Sequence, residues 1–328
     1  MSAIQPRPAT VALGGGGARG VAHLGAIEQM LAAGLGVERI VGVSIGSLAG
    51  AMFAFDPDIG RVIQRAHDFL YSAEFARHQQ HLLGAHPVPS TASTGRVMNG
   101  YRRLTGLVRA NRMFYRAVHQ SSLLPGELLE AVVDHLLPDA DIADAQIPLS
   151  IVAVDLDQGQ PVVFEKGPLR LAVKASAAVP GIFPPVTFEG KLLCDIGGFC
   201  ALPLGVARSY DPQLLIAVDV GSNLKPLDRE PTALDVLMRM NDIGSAMFRR
   251  QLRSEADLTI VPDVDEVPWF DFTTADELIE AGRIAARTAL ETLAAPQSWL
   301  RRVLNQTLPA LSRMNDQIQQ LPRSAAGL

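Results

Sequence analysis

Short apolar runs alternate with helical patterns along the first 200 residues of the chain. Ala9 to Leu13 is uniformly apolar and reads as a buried strand; a glycine run follows, and Val21 to Ala33 carries a helical pattern. Arg39 to Val43 repeats the strand signal, and small apolar residues to Phe55 continue it as a helix. Helical patterns also cover Asp58 to Tyr71, Thr94 to His119 and Pro125 to Leu137. Between them His78 to Ser93, with its Gly, Pro and Ser/Thr residues, reads as a loop and the best candidate lid. Strands are predicted at Leu149 to Val154 and Pro161 to Glu165, a helix at Leu169 to Ala178, and a hairpin at Val186 to Cys194 with its turn at Glu189-Gly190. Two more strands, Leu214 to Val220 and Asp257 to Val261, and helices at Ala233 to Arg253, Thr274 to Ala294 and Gln297 to Gln320 complete the pattern. Strands alternating with helices imply an α/β fold around a mainly parallel sheet. No internal repeat interrupts it.

Composition narrows the class. The chain has 328 residues, 48% of them hydrophobic, and a mean hydropathy of +0.17, enough for one large core. Two cysteines, Cys194 and Cys200, rule out a disulfide framework. Met1 to Thr10 has no apolar signal-peptide core, and the run Ile40 to Phe55 is too short and glycine-rich to span a bilayer. A cytoplasmic location is expected, with an optional peripheral contact at the inner membrane face. Net charge is −5, yet Arg61 to Gln120 holds nine Arg against Asp68 and Glu74. Such a basic, aromatic-bearing block either is a solvated helical face or meets an anionic membrane surface. Nucleic-acid binding is not expected.

Candidate chemistry sits where two strands end. Gly42-Val43-Ser44-Ile45-Gly46 matches Gly-x-Ser-x-Gly between a strand and a helix, a turn that thrusts a serine hydroxyl out beside a helix N-terminus. Gly15, Gly17 and Gly20 satisfy Gly-x-Gly-x-x-Gly. This could be a dinucleotide fingerprint, but the next strand ends in Ser44 rather than the acid that holds a ribose. The alternative is an oxyanion cradle, with backbone donors from Gly15, Gly16 and Gly17 and from Ile45. His78, His81 and His86 lack a nearby carboxylate, so no metal is expected. No histidine follows Asp195 to complete a triad with it. His23, just past the glycine run, reads as a helix-surface residue. Asp195, at a strand end, is then the candidate base for Ser44, its pKa raised by partial burial.

With cradle, serine turn and strand-end aspartate assembled, the chain resembles the patatin-like phospholipases, especially bacterial members. Four ordered stretches carry the likeness: Gly15-Gly16-Gly17-Ala18-Arg19-Gly20, Gly42 to Gly46, Ala175-Ser176-Ala177-Ala178-Val179-Pro180-Gly181-Ile182-Phe183-Pro184-Pro185, and Asp195-Ile196-Gly197. Glu255 to Ala285, with Pro262-Asp263 and Trp269, extends it, so that it spans roughly residues 8 to 290. The resemblance implies a three-layer α/β/α domain over 8–295, a basic helical or lid insertion at 60–120, and a C-terminal helical extension at 296–328. It implies a serine acyl hydrolase acting on lipid or fatty-acyl esters through a Ser44–Asp195 dyad, without cofactor or metal. Gly20, Gly42, Gly46 and Gly197 are its motif glycines, and Arg19 is a candidate anion contact or loop anchor. Ile196 stands where the family has glycine, and Cys200-Ala201 where bacterial members often have Asn-Pro, so the turn aiming Asp195 is expected to differ. A protein that binds acyl lipid or a partner without turnover is the competing reading. The last helix could pack on its own domain or on a second subunit.

Overall fold

A computed structural model describes residues 7–77, 121–224, 226 and 233–294. The expected lid at 78–93 and the helices at 94–119 and 297–320 lie outside those residues. By contacts the chain divides into compact units 1–290 and 291–328, and the description below concerns the first.

The strand–helix alternation read from the sequence is present. Strand β1 (Arg7–Leu13) leads through a 3-10 turn at Gly17–Val21 into α1 (Ala22–Ala32). β2 (Leu35–Val43) feeds α2 (Ile45–Phe55), and α3 (Ile59–Leu70) and α4 (Glu127–Leu136) follow. β3 (Leu149–Asp155), β4 (Gln160–Phe164), α5 (Leu169–Ala177) and the hairpin β5 (Val186–Phe188) and β6 (Lys191–Cys194) come next. Two short helices, α6 (Gly197–Cys200) and α7 (Leu204–Arg208), precede β7 (Leu215–Val218), α8 (Ala233–Leu252), β8 (Leu258–Ile260) and α9 (Ala275–Ala294). β2 starts four residues earlier than predicted. Arg7 to Ala9 pair with Leu35 to Val37, a contact between distant residues that draws the glycine-interrupted stretch Leu35-Gly36-Val37-Glu38 into the strand.

The strands form one sheet in the order β5-β6-β3-β2-β1-β7-β8, with β4 also paired to β3. The run β3-β2-β1-β7-β8 is parallel throughout, and β4, β5 and β6 add antiparallel pairs. Alternation along the strands separates the faces. Leu13, Ile40 and Leu149 face α2, where Gly50 leaves room for them. Ala12, Val41, Val43, Val152, Leu215 and Ala217 face the opposite way and pack on Ile196, Leu202, Leu204 and Ala207. The three-layer α/β/α expectation therefore holds.

Chain order places the active region. From β1 the chain builds outward to β2 and β3, and later returns to the other flank of β1 as β7. Such a reversal opens a crevice beyond the carboxyl ends of the strands, the usual ligand position in open α/β sheets. Both Gly14–Gly17 and Ser44 lie at those ends.

Candidate active site

Ser44 has φ 55° and ψ −128°, a left-handed conformation in a residue with a side chain. Strain of this kind costs on the order of 1–3 kcal/mol and persists only where surrounding contacts enforce it. Several do. The Ser44 N–H donates to Ser176 Oγ at 2.8 Å, and the Ser176 hydroxyl donates to the Val152 carbonyl at 2.6 Å. The Ser44 carbonyl accepts from Ser47 Oγ at 2.6 Å and from the Ser47 and Leu48 amides. The turn also requires bare backbone on both sides: a methyl group at Gly42 would fall 2.6 Å from the Gly46 carbonyl oxygen, and one at Gly46 2.3 Å from that of Leu13. Strand, turn and helix can thus cross at backbone contact only without Cβ atoms at 42 and 46, as the motif predicts.

The carboxylate arrives from a separate part of the fold. β6 pairs with the end of β3 and releases the chain at Asp195, whose N–H donates to the Ala178 carbonyl. The C-terminal end of α5 therefore holds both groups, Ser44 through the Ser176 side chain and Asp195 through the Ala178 backbone. Asp195 is 6% exposed and accepts the Gly197 N–H at 2.6 Å, and the Ser44 hydroxyl lies near enough to act on its carboxylate. Burial pushes its pKa up to about 6; the Ser44 hydroxyl and the Gly197 N–H pull in the opposite direction. Ile196 adopts a right-handed conformation (φ −82°, ψ −3°) and is 7% exposed within the apolar core. The turn after Asp195 therefore needs no left-handed residue, and isoleucine is accommodated by packing.

Donors near Ser44 differ in part from the expectation. The Gly15 N–H is already committed to the Ala201 carbonyl at 2.8 Å, which removes Gly15 from the oxyanion set. Its role is closeness: a methyl group there would lie 3.3 Å from Ser44 Cβ. The Gly16, Gly17 and Ile45 amides have no backbone or side-chain acceptor among the described residues, Ile45 because it opens α2. Gly17 has φ +61°, and the Ala18 N–H that follows donates to the Trp269 carbonyl at 2.6 Å. Gly20 lies against the Ile45 side chain. Arg19 is half-buried and, with the glycine loop and Ser44, lines a cavity at the strand ends. Burial, then neighbouring Arg249, lower its pKa, while Asp242 and Asp265 act the other way.

Two further groups escaped sequence reading. His23 is fully buried, not on a helix surface, because α1 lies beneath the glycine loop rather than at the protein's exterior. Its Nε2 lies 2.8 Å from the Gly14 carbonyl, which can only accept, so Nε2 carries the proton. Burial lowers its pKa to about 4 and keeps the ring neutral near pH 7. Asp219, after β7, is 1% exposed and pairs with Arg249 at 2.9 Å and Arg253 at 2.7 Å. Arg249 is itself buried and also donates to the Ser222 carbonyl. Asp219→Ala strands that guanidinium, and a loss of about 3–5 kcal/mol is expected in denaturant unfolding.

Gly15 to Gly17, Ser44, Ile45 and Asp195 open onto one cavity of about 980 Å³. Its deeper wall is apolar, with Leu48 and Met52 from α2, Phe69 from α3, Val133 from α4, and Val179 and Phe183 after α5. Among the described residues no cluster of His, Cys, Asp or Glu is arranged to hold a metal ion, and no helix is long and apolar enough to cross a membrane. His78, His81 and His86 fall outside those residues.

The sequence pattern of the Patatin-like phospholipase family matches residues 11–208. This chain belongs to the patatin-like phospholipase family. An uncharacterized NTE family protein of Mycobacterium tuberculosis is 27% identical over 312 residues, covering 88% of this chain and 47% of that protein. A second one from the same species is 33% identical over 246 residues, 74% of this chain and 58% of that protein. Patatin-like phospholipase domain-containing protein 6 of Mus musculus is 28% identical over 257 residues, 78% of this chain and 16% of the mouse protein. The chain thus spans about half the length of the mycobacterial relatives and a small part of the mouse one. Among solved structures, VipD from Legionella pneumophila aligns at TM-score 0.39 and 12% identity, covering 89% of this chain and 68% of VipD. The type III effector ExoU aligns at 0.38 and 16%, covering 89% and 54%. Likeness of that degree says nothing about activity. Membership of this family relates the chain by descent to the patatin-like phospholipases, and the patatin fold agrees with the sheet described above.

Ser176 illustrates what the family stretch from Ala175 to Pro185 contributes. Removing its hydroxyl leaves the strained Ser44 amide without its acceptor. Ser176→Ala is expected to lower kcat by about 10- to 100-fold and stability by about 1–3 kcal/mol, read from ester hydrolysis and urea unfolding.

Proposed function

We propose that this patatin-like chain is a serine acyl hydrolase for lipid esters, phospholipase A-like or lysophospholipase-like, working through Ser44 and Asp195. Ser44 Oγ attacks the ester carbonyl while Asp195 takes its proton. The carboxylic acid then protonates the leaving alcohol, and Asp195 activates water to cleave the acyl-enzyme. Free amides of Gly16, Gly17 and Ile45 receive the oxyanion, and each such donor is worth roughly 2.7–4 kcal/mol. The observation that carries this reading is a strained, buried serine facing the same cavity as a buried carboxylate, close enough to act on that carboxylate, whose pKa burial raises to about 6. A free carboxylate is too weak a base near neutrality; desolvation brings this one into a useful range. The apolar wall of the cavity suits an acyl chain.

The competing reading, lipid binding without turnover, drew on Ile196. Its packing in the core in a right-handed conformation, with Asp195 still beside Ser44, speaks against it. Contact of an anionic membrane with 61–120 would draw little from Arg61 and Arg65, which are both paired with Asp56, at 2.6 and 2.7 Å; its Arg residues from 96 to 116 lie outside the described residues. A fluorophosphonate probe tests the central claim. Covalent labelling at Ser44, competed by lipid esters, is expected; an unlabelled, folded protein selects the binding-only reading.

A further inference from the structure

We propose that His23 is a positioning residue for acyl transfer, holding the Gly14–Gly15 peptide so that the oxyanion amides stay in register with Asp195. The inference rests on the hydrolase reading above. The Gly14–Gly15 peptide is pinned at both ends. Its carbonyl accepts from His23 Nε2 at 2.8 Å, and its N–H donates to the Ala201 carbonyl at 2.8 Å. The first bond ties the glycine loop to α1. The second ties it to the segment that begins at Asp195, forms α6, and ends at Ala201. A peptide group is planar, so fixing both its polar atoms fixes the plane, and the plane sets the direction in which the chain leaves toward the Gly16 and Gly17 amides. The same Gly14 oxygen also rests on α2 at Gly46, where a methyl group would lie 2.7 Å from it. One peptide therefore links the glycine loop, the serine turn and the Asp195 segment.

Packing alone does not explain an imidazole here. His23 is 0% exposed, and its Nδ1 has no hydrogen-bond partner among the described residues. An unsatisfied buried acceptor is unfavourable, and a leucine of similar bulk would avoid it. What leucine cannot supply is the donor to Gly14.

The test uses the full chain with His23→Leu, His23→Asn and His23→Gln. Gln can carry an N–H to the position of Nε2; Asn is too short and Leu has none. Turnover of a nitrophenyl butyrate is normalised to sites titrated with fluorophosphonate, and melting temperature is followed in parallel. His23→Leu and His23→Asn are expected to lose about 10- to 100-fold in kcat per titrated site with KM within about twofold, and His23→Gln to stay within about threefold of the parent. Lower melting temperatures with kcat per site unchanged would make His23 a packing residue and overturn the proposal. Should the leucine variant not fold, equal rates for Asn and Gln overturn it and a Gln-only rescue supports it. A parent protein that neither labels at Ser44 nor turns over ester overturns the hydrolase reading, and the positioning role with it. An active parent alongside an equally active leucine variant overturns the positioning role alone.

Discussion

Ser44→Ala is expected to abolish ester hydrolysis, by about 10⁴-fold or more in kcat, while leaving a folded protein. The size follows from what the hydroxyl does in the proposed reaction. Without it there is no acyl-enzyme, and the amides and cavity retain only what positioning and oxyanion stabilisation supply unaided. Stability should change little, since alanine inherits the same left-handed backbone. Glycine would not: at φ 55° it relieves the strain, so Ser44→Gly should be inactive yet more stable than Ser44→Ala by about 1 kcal/mol. Matched urea titrations and nitrophenyl ester assays decide both points. Appreciable turnover by either variant, free of contaminating esterase, would remove Ser44 from the mechanism.

Asp195→Asn carries the second large effect, with opposite signs on rate and stability. Asparagine can still accept from Ser44 and Gly197 but cannot take a proton, so kcat should fall by about 10³-fold or more. The parent enzyme should lose activity below about pH 6, close to tenfold per pH unit, as Asp195 becomes protonated. Stability runs the other way. Burial places the folded pKa at about 6, above an unfolded value of about 3.9, so between those values the folded state holds a proton that the unfolded state releases. The folded state therefore weakens as pH rises through that window, and above pH 6 the accumulated cost is about 3 kcal/mol. Asp195→Asn removes it and should be more stable than the parent by about that amount at pH 8, with the gain vanishing near pH 4. His23 pulls oppositely. Its folded pKa near 4 is below an unfolded value of about 6.5, so the fold loses stability as pH falls through that interval. Comparing the parent with Asp195→Asn at each pH cancels the histidine term. An asparagine variant no more stable at pH 8 than at pH 4, relative to the parent, would contradict the buried, desolvated carboxylate on which the mechanism depends.

Catalytic machinery that costs the fold stability is common where geometry must be held ready, and both costs here are local. The backbone of Ser44 is strained and the charge of Asp195 is desolvated. Both are restrained by α5, a helix with no reacting group of its own. Its Ser176 and Ala178 make the serine turn and the aspartate parts of one unit, which is why removing the Ser176 hydroxyl is expected to lower both rate and stability.

Much of this organisation was legible in the chain alone. Strand and helix order, the glycine requirement around Ser44, and the pairing of a glycine cradle with a serine turn follow from local rules: side-chain period, backbone freedom at glycine, and the chemistry of a hydroxyl beside a helix N-terminus. These are properties of neighbours in sequence, and neighbours in sequence remain neighbours in space. Ser44 and Asp195 could be named as candidates for the same reason, each lying at the end of a readable strand. What a residue touches from 100 positions away is not local. Gly15 was an equal candidate donor until the Ala201 carbonyl claimed its amide. His23 has the sequence surroundings of a surface helix, and only the burial of α1 beneath the glycine loop makes it a neutral interior donor. Asp219, Arg249 and Arg253 resemble ordinary surface charges until β7 and α8 bring them together. Tertiary packing decided these cases, because hydrogen-bond commitment and desolvation depend on which groups from distant segments exclude water from one another.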